Sequence, residues 1–162
     1  MGSPPLFYRW SSNIVPWLGV FAFLVLSIGL YWGLFIAPTD YKQGDVYRIL
    51  YIHVPSAILG ESIFMFMAVC GFVNVVWRAK VSGMMLKSAA PIGLSFTLVV
   101  LVTGSVWGKP TWGTWWVWDA RLTSTLILFF IYAALVGLHS TIEDKTKACL
   151  LYTSDAADDD VR

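Results

Sequence analysis

Ile14-Val-Pro-Trp-Leu-Gly-Val-Phe-Ala-Phe-Leu-Val-Leu-Ser-Ile-Gly-Leu-Tyr-Trp-Gly-Leu-Phe-Ile-Ala37 contains no charged side chain. A helix needs about 20 apolar residues to cross about 30 Å of hydrocarbon, and this run is long enough. In lipid a helix satisfies all of its own backbone groups, which a single strand does not. Three more runs repeat the pattern at residues 55–77, 88–108 and 122–141, and Glu61 is the one acid within them. The expectation is an all-α, polytopic transmembrane helix bundle with four spans. Pro16, near the start of the first run, is read as a first-turn proline, where its missing N–H costs nothing.

The composition agrees with this reading. The chain has 162 residues, of which 57% are hydrophobic and 13% charged, with a mean hydropathy of +0.68. Soluble domains carry about a quarter charged residues, spread over a surface. Here the charges fall in short clusters between apolar runs. A net charge of +1 gives no reason to expect a nucleic-acid partner; the expected surroundings are membrane lipid. Cys70 lies in an apolar run and reads as a small buried thiol. Cys70 and Cys149 form no Cys-x-x-Cys pair, so neither a redox motif nor a zinc site is expected. The first run is too long for a signal-peptide core and lacks a small-x-small cleavage site, so it reads as a retained helix.

Lysine and arginine in the short loops set the orientation. Arg9, Arg78, Lys80, Lys87, Lys145 and Lys147 fall on one side, and Lys42, Arg48, Lys109 and Arg121 on the other. This bias places the N-terminus in the cytoplasm. The loop 38–54 and the tryptophan-rich loop before the fourth run then face outward, which in a Gram-negative cell is the periplasm.

That second outward loop is the most unusual stretch of the chain. Trp107, Trp112, Trp115, Trp116 and Trp118 are followed by Asp119 and Arg121. Interfacial aromatic belts account for isolated tryptophans such as Trp10, Trp17, Trp32 and Trp77. They do not account for Trp-x-x-Trp-Trp-x-Trp-Asp, which reads instead as an aromatic platform for a large planar ligand. Gly108 and Gly113 are expected to permit turns there, Pro110 to stiffen the loop, and Asp119 to cap the fourth helix. His53, in Tyr51-Ile52-His53-Val54-Pro55, falls just before a helix start expected at Pro55. It shares the outward surface with the tryptophans, and a neutral imidazole is a good axial ligand for haem iron. Arg121 is a candidate to pair with Asp119 or with a porphyrin propionate, and Arg48 is a second propionate candidate. His139 lies near the inward end of span four and reads as structural. Glu61, inside a span, is a functional candidate by default, and its role is left open.

Trp112-Gly-Thr-Trp-Trp-Val-Trp-Asp119, continuing Ala-Arg-Leu-Thr-Ser124, resembles the tryptophan-rich signature of the haem exporter protein C (CcmC) family of cytochrome c-type biogenesis. Tyr51-Ile-His-Val-Pro55 is similar to that family's first-loop histidine motif. The resemblance covers about residues 10–147 and makes 1–147 a CcmC-like membrane domain. It implies six transmembrane helices in the bacterial inner membrane. It also implies haem b held at the periplasmic surface by two axial histidines and passed to a periplasmic, CcmE-like haem chaperone, with an ABC transporter module attached. His53 takes the first histidine's place as axial ligand to the iron, and Trp112, Trp115, Trp116, Trp118 and Asp119 take the platform's. The second histidine is expected beyond Lys147.

The function expected from this resemblance is binding and handover of haem, not bond-making. Two alternatives stay open: a haem lyase of the same superfamily, and a structural or transport subunit whose loop only anchors it at the interface. Related lyases follow the aspartate with a proline and an acid, where this chain has Ala120 and Arg121. Residues 148–162 break the apolar pattern. The run from Cys149 to Asp158 is similar to translated sequencing-adapter read-through, so this tail is expected to be non-native and the chain a fragment.

Overall fold

The computed structural model describes the backbone of residues 4–159 and the side chains of residues 7–141; the expected tail, 148–162, lies outside the residues whose side chains are described. Four long helices dominate: α1 Pro4–Tyr31, α2 Leu50–Trp77, α3 Lys80–Trp112 and α4 Ala120–Asp159. No strand occurs among the described residues. The segments Phe7–Ile36, Asp45–Trp77, Lys80–Trp112 and Ala120–Thr141 are each long and apolar enough to cross a membrane. The protein is a polytopic, all-α membrane bundle.

α3 is the central helix, with α2 and α4 packed on it. The core is small and made of fine-grained contacts. Met67, Ala89, Ala90 and Tyr132 are buried together, with Phe64, Leu94 and Leu128 packed around them. Tyr132 is fully buried and donates a 2.8 Å hydrogen bond to the Gly60 carbonyl, tying α4 to α2. Gly93 on α3 makes room for that ring: a Cβ there would come within 2.2 Å of Tyr132 Cζ. Small residues at such crossings let helices approach closely, and van der Waals contact drives association once lipid has removed the hydrophobic difference. α1 buries none of its apolar window in the bundle, which suits a helix solvated by lipid tails.

Three local expectations are corrected. α1 begins at Pro4, so Pro16 lies inside it. The polar stretch before it is helical, with the Ser11 and Ser12 hydroxyls donating to the carbonyls of Tyr8 and Arg9. α2 begins at Leu50, so His53 and Pro55 are both helical. A 3₁₀ turn over Asp45–Ile49 feeds directly into α2, and the Tyr51 ring rests on Gly33, where a Cβ would come within 2.7 Å of it. α3 runs through Trp112, so Gly108 and Pro110 are helical as well. Only Gly113, with φ +78°, makes a turn.

α1 closes in a π-helical turn over Trp32–Ile36, in which Ala37 N–H donates to the Trp32 carbonyl at 2.9 Å. Arg48 secures this end. Its guanidinium donates to the carbonyls of Leu34 and Ala37, the latter at 3.0 Å, and pairs with Asp45 at 3.2 Å. These are the carbonyls a helix end leaves without partners. Arg48 is thereby engaged in the chain reversal at the end of α1.

Candidate functional site

The site is built where the 38–49 segment, the start of α2, the end of α3 and the start of α4 meet. His53 sits in the first turn of α2. On α3, Thr103, Gly104, Trp107, Gly108, Thr111 and Trp112 recur at three- and four-residue spacing and so share one face. Arg121 and Thr125 come from the start of α4. Between these elements lies a cavity of about 280 Å³, lined by His53, Gly104, Trp107, Trp112, Arg121 and Thr125 among others.

Each wall of this cavity has a local cause. Gly104 and Gly108 cut a notch in α3. A Cβ on Gly104 would lie 3.1 Å from His53 Cε1, and one on Gly108 would lie 3.2 Å from Trp112 Cε3. His53 meets Trp107 edge to face, with ring centroids 5.8 Å apart at 71°. The Trp107 indole N–H donates to Gln43 Oε1 at 2.8 Å, bringing the 38–49 segment onto the site. That segment is itself shaped by Asp40, whose carboxylate accepts from the N–H groups of Lys42 and Gln43, both at 2.8 Å.

The tryptophan loop proper is short, 113–119. Gly113 ends α3 by donating to the Lys109 carbonyl, and Lys109 Nζ reaches back to the Gly113 carbonyl, both at 3.0 Å. Thr114 Oγ1 closes the next turn, accepting from Trp116 N–H and donating to the Trp116 carbonyl. Asp119 caps α4, accepting from Leu122 N–H at 2.8 Å. It also pairs with Arg121 at 3.3 Å, and the Arg121 guanidinium lies 5.9 Å from the Trp112 ring centre.

The expected site residues therefore divide. His53 and Trp112 line the cavity. Trp115, Trp116 and Trp118 do not; they lie on the loop beside it, Trp116 half-buried and Trp118 77% exposed. Trp116 meets Trp118 edge to face at 5.5 Å, and its indole nitrogen is buried without a hydrogen-bond partner. Asp119 orders the loop's end. His139 lies some twenty residues along α4, about 28 Å away at 1.5 Å per residue. Glu61 is on the exposed surface of α2. Trp107, Gly104, Thr103 and Gln43 complete the surroundings of His53 and were absent from the expected site. The spacing of Thr103, Trp107 and Thr111 on one helical row was their sequence signal, hidden by reading Trp107 as part of a loop.

Chemically, the site joins one imidazole to flat aromatic walls and one guanidinium. Among the described residues, no three His, Cys, Asp or Glu side chains converge, so His53 has no companions of the kind a structural zinc ion requires. A metal already held by a macrocycle asks the protein only for axial ligands and flat contact.

The family model described as Heme exporter protein C matches residues 1–153. The chain is similar to the Heme exporter protein C of Escherichia coli (strain K12), 48% identical over 145 residues, or 90% of this chain and 59% of that protein. It is also similar to that of Haemophilus influenzae, 44% identical over 88% of this chain and 58% of that protein. The protein of Bradyrhizobium diazoefficiens is 42% identical over 91% of this chain and 56% of its own length. The chain thus spans 56–59% of the length of these curated relatives.

Proposed function

The chain belongs to the Heme exporter protein C family, and we propose from this that it binds haem b as cargo and presents it at the outer face of the bacterial inner membrane for cytochrome c maturation. The observation that carries the reading is the convergence of His53 with Trp107 and Trp112 around one cavity beside the tryptophan loop. His53 coordinates the iron. Trp107 and Trp112 contact the porphyrin inside the cavity, and Trp115, Trp116 and Trp118 lie against the part that stays outside. The exposed Arg121 guanidinium, which lines the cavity, is a donor available to carboxylate substituents.

The size of the cavity supports presentation over storage. Pockets that bury most of a drug-sized ligand run from roughly 300 to 1,000 Å³, and a porphyrin is larger than such ligands. A cavity of about 280 Å³ accepts an edge of the macrocycle and leaves the rest at the surface. A periplasmic haem chaperone then takes the haem from that exposed side, with an ABC transporter module as the further partner. No bond to the cargo beyond the axial one is needed.

The test is to express the chain with haem available, purify it in detergent, and measure haem per polypeptide and the absorption spectrum. His53→Ala and the combined Trp107→Ala and Trp112→Ala variant are expected to lose most of the haem. Retention of wild-type occupancy and spectrum by both would overturn the reading.

A further inference from the structure

The Thr103 hydroxyl lies between two partners. Its oxygen is 2.6 Å from the Val99 carbonyl and 2.9 Å from His53 Nδ1. A hydroxyl has one hydrogen, and a carbonyl only accepts. The hydrogen therefore goes to Val99, and the Thr103 oxygen accepts from His53 Nδ1–H. A neutral imidazole with its proton on Nδ1 carries its lone pair on Nε2. Gly104 clears the space beside Cε1, and Trp107 closes the adjoining side edge to face.

We propose that Thr103 is a positioning residue for His53: it fixes the ring and selects the tautomer in which Nε2 is the ligating nitrogen. The proposal rests on the reading of His53 as the iron ligand and adds the group that makes it one. An imidazole whose second nitrogen is anchored is held in the ligating orientation and made a more basic donor. Loss of such an anchor typically lowers metal affinity 10–100-fold. Without Thr103 the ring divides between two tautomers, and only one of them offers Nε2. Thr103→Val removes the acceptor and keeps the β-branched shape, whereas Thr103→Ser keeps the acceptor.

The experiment has two arms on the full chain in detergent micelles. His53 and His139 are its two histidines, so a His139→Gln background leaves His53 as the single reporter. In the first arm, without haem, ¹⁵N-histidine NMR reads which ring nitrogen is protonated. Protonation at Nδ1 is expected, with a mixture in Thr103→Val and recovery in Thr103→Ser. A ring protonated at Nε2, or one that Thr103→Val leaves unchanged, overturns the proposal whatever haem does. In the second arm, hemin is titrated and followed by absorbance. Thr103→Val is expected to weaken binding by about tenfold or more, and Thr103→Ser to restore it. If His53→Ala binds hemin as tightly as the parent, the ligand reading fails. If His53→Ala loses hemin and Thr103→Val does not, the positioning role alone fails.

Discussion

Asp119 shows how one carboxylate fixes the end of the tryptophan loop and the start of α4. Its oxygen accepts from Leu122 N–H at 2.8 Å, and its pair with Arg121 leaves the arginine side chain 81% exposed. The cap is the larger contribution. Replacing a capping Asp by Ala costs about 1 kcal/mol, with a range of 0.5–2, whereas an exposed ion pair contributes about 0–1 kcal/mol. Asp119→Ala is therefore expected to destabilise the detergent-solubilised chain by about 1 kcal/mol, and Asp119→Asn, which still accepts, by much less. Chemical unfolding followed by tryptophan fluorescence distinguishes the two. An equal loss in both variants would show that charge, not capping, is what Asp119 contributes. The capping role was legible in the sequence because an aspartate directly before an apolar run has a local, backbone-level explanation.

At the scale of elements, α3 does two jobs along its length. Near its middle, Gly93 admits the buried Tyr132 ring; near its end, Gly104 and Gly108 admit His53 and Trp112. Gly93→Ala would push a methyl group to 2.2 Å from a fully buried ring that has nowhere to move. The expected loss reaches or exceeds the roughly 1–3 kcal/mol of ordinary overpacking. Combining it with Tyr132→Leu should give less than the sum of the single losses, because the two side chains compete for one space. Tyr132→Phe alone, losing one buried hydrogen bond between helices, should cost about 0.6 kcal/mol. Thermal unfolding of the four variants decides this, and strict additivity would contradict the shared-space account. At the other end, Gly104→Leu is expected to fill the cavity and lower hemin uptake several-fold while far-ultraviolet circular dichroism stays unchanged. Uptake equal to the parent's would remove the cavity from the binding site. The sequence concealed this division. A glycine in an apolar run signals equally a turn, a packing notch or a neutral position, and Gly108 was read as a turn because tryptophans and a proline surround it. Pro55 misled in the same way: a proline is compatible with a helix start, but the docking of Tyr51 on Gly33 and the hold of Arg48 on the end of α1 start the helix at Leu50. Those contacts join residues far apart in sequence, beyond the reach of any local rule.

For the whole molecule, hydropathy was enough to reveal the four membrane-crossing helices, since lipid demands that each be apolar over its full length. It did not reveal which helix is central, because packing within a membrane depends on the shape of small residues more than on polarity. Topology across the membrane follows from a different quantity, the placement of lysine and arginine. The contact between Gln43 and Trp107 puts the 38–49 segment and the tryptophan loop at one end of the bundle, while Arg78, Lys80 and Lys87 cluster around the junction of α2 and α3 at the other. The basic junction is expected in the cytoplasm and the tryptophan end outside. In a chain with Cys70 and Cys149 replaced, Gln43→Cys and Thr114→Cys should react with a membrane-impermeant maleimide added to intact spheroplasts. Ala79→Cys should react only after the membrane is opened. Labelling of Ala79→Cys in intact spheroplasts, with Gln43→Cys and Thr114→Cys protected, would reverse the orientation and place the surface proposed to present haem in the cytoplasm. Delivery to a periplasmic chaperone would then be impossible from this face, so the six-to-four bias in positive charge and the direction of haem handover stand or fall in one measurement.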